Sequence, residues 1–378
     1  MTEDVSRDDH RHMARALRLA ERGLYTTDPN PRVGCVLVNV GEVVGEGWHR
    51  RAGEAHAEIN ALAMAGERAS GATAYITLEP CCHHGRTPPC SEALIKAGVT
   101  RVVAAMQDPN PQVAGQGLAQ LQKAGIETLG GVLQIQAEAL NPGFIKRMKT
   151  GRPFVRGKLA MSLDGRTAMA SGESQWITGE DARRDVQRLR ARSSAIVTGI
   201  GTVLADDPSL TARVDADVGQ PLRVILDSRL QMPVSARMLA LPGRTLVLTA
   251  NDDAQKAAAL RDAGAEVAVL AENQGRVDLS AALDLLAKRD INEVLVEAGA
   301  TLCGAFLQAG LFDELVVYMA PVLLGHQARD LLMLPGLENM RDRIQLEITD
   351  MRAVGQDWRI TASVSSQARG DAPLSRPT

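Results

Sequence analysis

The feature that most constrains this chain is a set of three short elements: His56-Ala57-Glu58, Pro80-Cys81 and Cys90. Imidazole and thiolate are favoured zinc ligands, and a hydrolytic zinc site keeps a fourth position open for water. A fold that uses these residues together must bring segments well separated in sequence to one point. The local pattern permits this. Cys81 follows an apolar run, Ala72–Glu79, that reads as a buried strand, and Cys90 stands where a helical pattern, SEALIKAG, begins. A helix N-terminus lowers a thiol pKa and favours the thiolate a metal needs. Glu58, beside the histidine but not ligated, is placed to take a proton from water and return it to a departing amine.

One His, two Cys and a non-ligating Glu form the donor set of zinc-dependent nucleobase deaminases. The spacing departs from the usual PCxxC, because eight residues separate Cys81 from Cys90. Cys82 is a poor second ligand, since neighbouring side chains rarely converge on one ion. Two plainer readings stay open on residues alone: a structural zinc knot completed by His83 or His84, and cysteines packed in a core without metal. Five cysteines in 378 residues, three of them bunched, do not make a disulfide framework. They imply a reduced, intracellular site.

Charge and composition narrow the partners. Lys plus Arg total 42 and Asp plus Glu 45; the two sets split 16 and 16 up to Thr150, then 26 and 29 beyond it. With aromatics at 3%, a basic groove with base-stacking platforms is not expected, so neither is a nucleic-acid partner. No run approaches the ~20 apolar residues of a membrane span, and the best, near Leu315–Leu324, contains Pro321. The acidic start MTEDVSRDDH is not the pattern of a signal peptide. The expectation is a cytoplasmic enzyme with no membrane partner.

Length favours two domains. In the first half, Asp8 or Asp9 is positioned to cap a helix marked by Met13, Leu17, Ala20 and Leu24. Val33–Val40 and the following EVVGEG read as a hairpin, and His56–Ala65 as a short helix. Helix Ser91–Gly98, strand Arg101–Met106, helix Gly117–Ala124 and strand Ile126–Leu129 follow. The segment Leu140–Pro153 carries turn residues and no sustained period, which places a boundary near Thr150. Beyond it, strands at Phe154–Met161, Ala195–Thr198, Arg223–Leu226, Thr245–Leu248, Glu266–Leu270 and Glu293–Glu297 alternate with helices at Glu180–Arg192, Asp253–Ala263, Leu279–Lys288 and Thr301–Ala309. Runs at Glu314–Met319 and Arg359–Val364 close the domain, and residues 366–378 read as a disordered tail. The alternation predicts an α/β class with largely parallel sheets.

At PCCHHGRTPPC the sequence resembles one family closely: the bifunctional riboflavin-biosynthesis deaminase/reductases, which join a diaminohydroxyphosphoribosylaminopyrimidine deaminase to a 5-amino-6-(5-phosphoribosylamino)uracil reductase. The long insertion between the cysteines is that family's own form of the motif. DPNPRVGCVLV, GEGWHRRAGEAHAE, MQDPNPQVAGQG, KLAMSLDGRTA, SGESQWIT, GTVLADDPSLTAR and VEAGATL extend the resemblance over roughly residues 8–365. Cys82 departs from it, since serine is usual there. The resemblance implies a cytidine-deaminase-like three-layer domain (1–150), then a dihydrofolate-reductase-like domain (151–365), with Zn2+ and NADPH as cofactors. The implied partner is a small pyrimidine ribosyl phosphate, and the implied assembly a homo-oligomer.

By the same resemblance His56, Cys81 and Cys90 hold zinc and Glu58 shuttles protons. Asn30, His49, His83, Arg86 and Asn110 match positions lining the pyrimidine and its phosphate. Their chemistry suits such contacts, since Asn offers donor and acceptor together and Arg meets a phosphate with two parallel bonds. Each histidine has a plainer reading as a structural residue, and each asparagine as a turn residue before proline.

In the second half, residues alone say only that the domain is α/β. Gly199-Ile200-Gly201 lacks the third glycine of a dinucleotide fingerprint, and Gly157-Lys158 has the wrong spacing for a P-loop. Val294–Leu307 runs from strand through a glycine turn to a helix start, which suits phosphate binding by backbone amides. The resemblance assigns Lys158, Ser174, Arg190, Leu210, Arg213 and Glu297 to substrate. It assigns Ala160, Trp176, Thr202, Asp206, Ser228 and the turn Gly299, Ala300, Thr301, Leu302 to the cofactor. Trp176 has an equal reading as a core residue. Lys158, Asp206 and Glu297 are the candidates for the reductase's general acid, and no arginine is assigned to a ribose 2′-phosphate.

Overall fold

The computed structural model describes residues 5–82, 88–111, 113–216 and 218–364. The chain forms two compact units that divide between Arg152 and Pro153. His83, Arg86 and the expected tail lie outside the described residues.

The first unit opens with α1 (Arg7–Ala20), a hairpin of β1 (Gly34–Asn39) and β2 (Glu42–Trp48), and α2 (Ala57–Ala65). It continues through β3 (Thr73–Ile76), α3 (Cys90–Lys96), β4 (Arg101–Ala104), α4 (Gln116–Lys123), β5 (Glu127–Gly130), α5 (Gln134–Leu140) and α6 (Pro142–Thr150). The sheet order is β2-β1-β3-β4-β5. Only β3–β4 and β4–β5 are parallel; β1 pairs antiparallel with both its neighbours, so this sheet is half parallel rather than largely so. Helix α1 packs on one face, and α2, α3 and α4 lie on the other. The contact between α2 and β2 is very close. A Cβ on Gly47 would stand 2.2 Å from the Ala57 carbonyl oxygen, so only glycine lets the start of α2 settle there.

Two expectations are corrected here. Ser6, not Asp8 or Asp9, caps α1; its hydroxyl accepts from the Asp9 N–H while the Asp9 carboxylate accepts from the Ser6 N–H, a capping box. The segment expected to be irregular linker is largely helix. Asn141 ends α5, Pro142 occupies the first turn of α6, and Gly151 closes it at φ +70°. Asn141 is buried, and its amide both accepts from the Arg32 N–H at 2.8 Å and donates to the Arg32 carbonyl at 3.0 Å. That pairing anchors α5 and α6 beside the Asp28–Arg32 loop.

The second unit begins with β6 (Phe154–Ser162), β7 (Arg166–Ala168), α7 (Glu180–Arg192), β8 (Ala195–Gly199) and α8 (Ile200–Asp206). Then come β9 (Leu222–Leu226), β10 (Thr245–Thr249), α9 (Ala254–Asp262), β11 (Glu266–Val269), a small hairpin of β12 (Glu272–Asn273) and β13 (Arg276–Val277), and α10 (Leu279–Lys288). It ends with β14 (Glu293–Val296), α11 (Ala300–Gln308), β15 (Glu314–Ala320), β16 (Arg329–Asp330), β17 (Leu346–Val354) and β18 (Asp357–Val364). Nine strands form one sheet in the order β11-β10-β9-β8-β14-β6-β15-β18-β17; the first seven run parallel, and β18 pairs antiparallel with both β15 and β17. Apolar faces of α10 and α11 pack on one side, and those of α7, α8 and α9 on the other. β17, which the sequence pattern does not announce, is an edge strand exposed along almost its whole length. Among the described residues, no helix is long and apolar enough to cross a membrane.

Candidate active sites

In the first unit the site forms where α2 and α3 begin. His56 is the residue immediately before α2, Cys81 follows β3, and Cys90 is the first residue of α3. His56 Nδ1 stands 3.6 Å from Cys81 Sγ and 3.3 Å from Cys90 Sγ, and the three donor atoms all lie within 4.8 Å of one another. Among the described residues this is the one such group of His, Cys, Asp or Glu, and Cys82 is not part of it. Soft sulfur and nitrogen donors converging in this way fit zinc. The Cys90 thiol bonded to Cys81, helped by His56 and the Cys90 N–H, outweighs burial and holds the Cys81 thiol down at about 4. Bonding to Cys81, with burial, pushes Cys90 up, and the bond to Cys81 raises the His56 pKa.

Glu58, in the first turn of α2, is 3% exposed. Burial raises its pKa against the pull of His56, and the Cys90 side chain bonds its carboxyl. A carboxyl whose proton is held more tightly in this way can take up a proton and pass it on. His49 is buried nearby, with its ring 5.4 Å from that of His56. Its Nε2 faces the Asn30 amide at 3.0 Å and its Nδ1 the Ala55 carbonyl at 3.2 Å. Burial lowers its pKa, which favours a neutral ring that donates from Nδ1 and accepts at Nε2.

Asn110 sits on the loop between β4 and α4, and the sequence pattern gives no sign of the device that holds this loop. Glu79, 3% exposed, lies between β3 and Cys81. Its Oε2 accepts the N–H groups of Asp108 (3.0 Å) and Gly115 (2.9 Å). Its Oε1 accepts those of Gly117 (2.8 Å) and Leu118 (3.2 Å). The carboxylate therefore caps α4 from a distant segment, since Gly115 at its N-cap has no side chain to do so. Ser91 completes the brace: its hydroxyl lies 3.1 Å from the Cys81 carbonyl and 2.7 Å from Gln120 Oε1 on α4. TLEPC in the sequence offers only an acidic residue beside a ligand, with no local sign of its four partners.

In the second unit all fifteen expected residues line one cavity of about 2030 Å³. They are Lys158, Ala160, Ser174, Trp176, Arg190, Thr202, Asp206, Leu210, Arg213, Ser228, Glu297, Gly299, Ala300, Thr301 and Leu302. The cavity opens along the carboxyl ends of the parallel strands, the usual ligand crevice of such sheets. On its floor Arg190 grips Glu297 with two parallel bonds, Nε to Oε1 at 2.7 Å and Nη2 to Oε2 at 2.8 Å. Burial alone would raise the Glu297 pKa, but Arg190, with Lys158 and Arg213, brings it down. Burial lowers the pKa of Lys158 despite the attraction of Glu297. Gly299 is the N-cap of α11 and has no capping side chain, so the first amides of that helix face the cavity uncapped by any side chain. Trp176 is 69% exposed with the Arg183 guanidinium 4.8 Å from its ring, which rules out the core reading.

Comparison with known proteins fits both units. The RibD C-terminal domain model matches residues 153–360, and that of the cytidine and deoxycytidylate deaminase zinc-binding region matches residues 6–106. The riboflavin biosynthesis protein RibD of Escherichia coli (strain K12) is 54% identical over 361 residues, covering 92% of this chain and 97% of that protein. Its Haemophilus influenzae counterpart is 50% identical over 370 residues, 95% and 98% of the two chains. The solved structure of Acinetobacter baumannii RibD superposes with a TM-score of 0.88 at 48% identity, covering 94% of this chain and 99% of that one. A diaminohydroxyphosphoribosylaminopyrimidine deaminase/5-amino-6-(5-phosphoribosylamino)uracil reductase from Thermotoga maritima superposes at 0.84 with 32% identity and the same coverages. The chain belongs to the RibD family of riboflavin biosynthesis proteins.

Proposed function

We propose that this chain catalyses two consecutive reactions of riboflavin biosynthesis. The first is hydrolytic deamination of 2,5-diamino-6-ribosylamino-4(3H)-pyrimidinone 5′-phosphate. The second is reduction of the ribosyl side chain of 5-amino-6-(5-phosphoribosylamino)uracil to ribityl by NADPH. The observation that carries this reading is the presence in one chain of a His/Cys/Cys group beside a buried glutamate and a cavity lined by every expected reductase residue.

In the first unit, His56 Nδ1, Cys81 Sγ and Cys90 Sγ are the atoms to hold zinc. When bound, zinc supplies the acidity that makes water a nucleophile at neutral pH. Glu58 takes the proton released from that water and delivers it to the amine, which leaves as ammonia as the ring carbon gains its oxygen. Asn30, held against His49, presents amide donor and acceptor groups to the pyrimidine edge. Asn110, His49, His83 and Arg86 belong to the same proposal as contacts to pyrimidine and phosphate.

In the second unit, NADPH supplies a hydride when bound. The ribosyl-to-ribityl conversion adds that hydride at the sugar carbon and a proton at the ring oxygen, breaking the bond between them. Lys158 beside Glu297 is better placed to hold the proton than Asp206, which stands exposed at the end of α8. Arg190 orients Glu297, and the uncapped amides after Gly299 suit cofactor phosphates. A cytoplasmic location and a homo-oligomer belong to the same reading; the edge of β17 leaves backbone groups open to a second copy. Mass photometry of the full chain reads that state.

The test is a coupled assay on the diaminopyrimidine ribosyl phosphate, following ammonia release and NADPH oxidation with and without a zinc chelator. Both signals with zinc and neither with chelator are expected, and the uracil intermediate should restore oxidation in chelator. Ammonia release without oxidation, even with the intermediate supplied, would leave a deaminase whose second unit is silent or acts on another substrate. Salt-sensitive RNA binding would instead point to a nucleic-acid substrate.

A further inference from the structure

One wall of the second unit's cavity is a stretch from Ser174 to Thr178 that belongs to no helix or strand. Among the described residues, no backbone hydrogen bond joins the N–H groups of this stretch to the rest of the chain. It is fixed instead at its far end, where α7 begins, and by one side chain of that helix. Arg183 Nη1 donates to the Thr178 carbonyl at 2.6 Å, and its guanidinium lies 4.8 Å from the centre of the Trp176 ring. Arg183 holds both in place only if the first turn of α7 is itself fixed.

That turn has no local cap. Gly179, the N-cap, has no side chain to offer, and its own N–H has no partner within the helix. The acceptor comes from 178 positions further along the chain: Asp357 Oδ2 takes the Gly179 N–H at 2.7 Å. Asp357 opens β18, directly after the turn from β17, and is 1% exposed. The same turn abuts α7 at a second point, since a Cβ on Gly355 would lie 2.5 Å from Asp181 Oδ2. Gly355 stands at φ +63°, so glycine serves both the turn and the close approach. A carboxylate at this end of a helix also meets the positive pole of its dipole. Asp357 Oδ1 has no hydrogen-bond partner among the described residues, so the bond to Gly179 is the one this carboxylate makes there.

We propose that Asp357 is a positioning residue of the reductase. It fixes the start of α7, and Arg183 on that helix then holds Trp176 and its neighbours in the form that receives the cofactor. This rests on the reductase reading of the second unit. Asp357 does not line the cavity, so its loss acts on the fraction of molecules that have the stretch in place. Apparent affinity falls with that fraction, and saturating cofactor restores it.

The experiment measures NADPH binding to the full chain by calorimetry, together with KM and kcat for NADPH on supplied uracil intermediate. It compares wild type with D357A, D357N, R183A and the double variant D357A/R183A. D357A should raise both Kd and KM for NADPH about tenfold, with kcat within about threefold of wild type. D357N should bind NADPH within about twofold of wild type, because the amide oxygen still accepts from Gly179 and the NH2 displaces no bond. R183A should resemble D357A, and the double variant should be at most about threefold weaker than either, because both act on one stretch. Y318F removes a hydroxyl bonded to Asp185 further along α7. It should lower the unfolding midpoint and leave the NADPH Kd unchanged, which separates positioning from a general loosening of the helix. Wild-type Kd and KM in D357A, a D357N as weak as D357A, or fully multiplicative effects in the double variant would overturn the proposal. So would a Y318F as weak as D357A, and so would wild-type affinity in R183A, whether or not D357A folds. A wild type that binds no NADPH would overturn the reductase reading and the proposal together.

Discussion

Glu79→Gln is the most informative single change in the first unit, because its effect follows from four bonds. The glutamate carboxylate serves the N–H groups of Asp108, Gly115, Gly117 and Leu118. Glutamine keeps the length but replaces one oxygen with an NH2, which faces two N–H donors whichever way the amide turns. Each buried donor left without an acceptor costs about 1–3 kcal/mol, so two cost about 3 kcal/mol after the loop relaxes. For a unit of this size that lowers the unfolding midpoint by about 6–12 °C. Thermal unfolding read by release of zinc to a chromophoric chelator follows the first unit alone. Kinetically, the KM for the diaminopyrimidine should rise more than kcat falls. The lost bonds hold the Asn110 loop, whereas Glu58 and the three zinc donors are untouched. A variant with wild-type zinc release and wild-type KM would show that Glu79 does not hold this loop, and the reasoning would fail.

Gly117→Ala tests the same brace from the other side. Its Cβ would lie 2.1 Å from the Pro80 carbonyl oxygen, so α4 must move away from Cys81, with a loss of about 1–3 kcal/mol in urea unfolding; a stability equal to wild type would contradict the close approach. Glu58→Gln should cut ammonia release about 100- to 10,000-fold with zinc content unchanged, and NADPH oxidation on supplied uracil intermediate should stay at the wild-type rate. Loss of zinc in this variant would instead make Glu58 a structural residue. Asp9 gives a pH dependence. Burial raises its pKa, but the Arg101 guanidinium and the Ser6 N–H hold it well below the usual carboxylate range. A depressed folded pKa stabilises fully above the unfolded value of about 3.9 and is lost as pH falls through the folded one. Asp9→Asn should therefore cost about 2 kcal/mol at pH 7, and its gap to wild type should narrow as urea midpoints are followed down from pH 4. A gap independent of pH would remove the charge from the explanation.

The contrast between what is legible in the sequence and what is not follows from where each signal resides. α7 and α10 can be placed to the residue, because Glu180–Arg192 and Leu279–Lys288 carry an apolar stripe at helical spacing between clear end signals. His56, Cys81 and Cys90 are legible because metal chemistry restricts residue type, and the fold has only to bring them together. α6 reads wrongly as linker because its three basic residues, Lys146, Arg147 and Lys149, obscure the apolar period. Its true markers are the Pro142 start and the Gly151 stop, which look like linker punctuation without a helix between them. β17 has almost no buried face, so no alternation exists to be read; backbone pairing with β18 defines it.

Glu79 stays hidden for a related reason. It acts through backbone partners that are distant in sequence, amides twenty-nine to thirty-nine positions away. Periodicity and motif spacing carry no trace of such a contact. A carboxylate in a loop then reads as one more solvated charge. The structure separates it from such charges by its burial. A buried carboxylate with four amide donors is a brace whose removal costs stability.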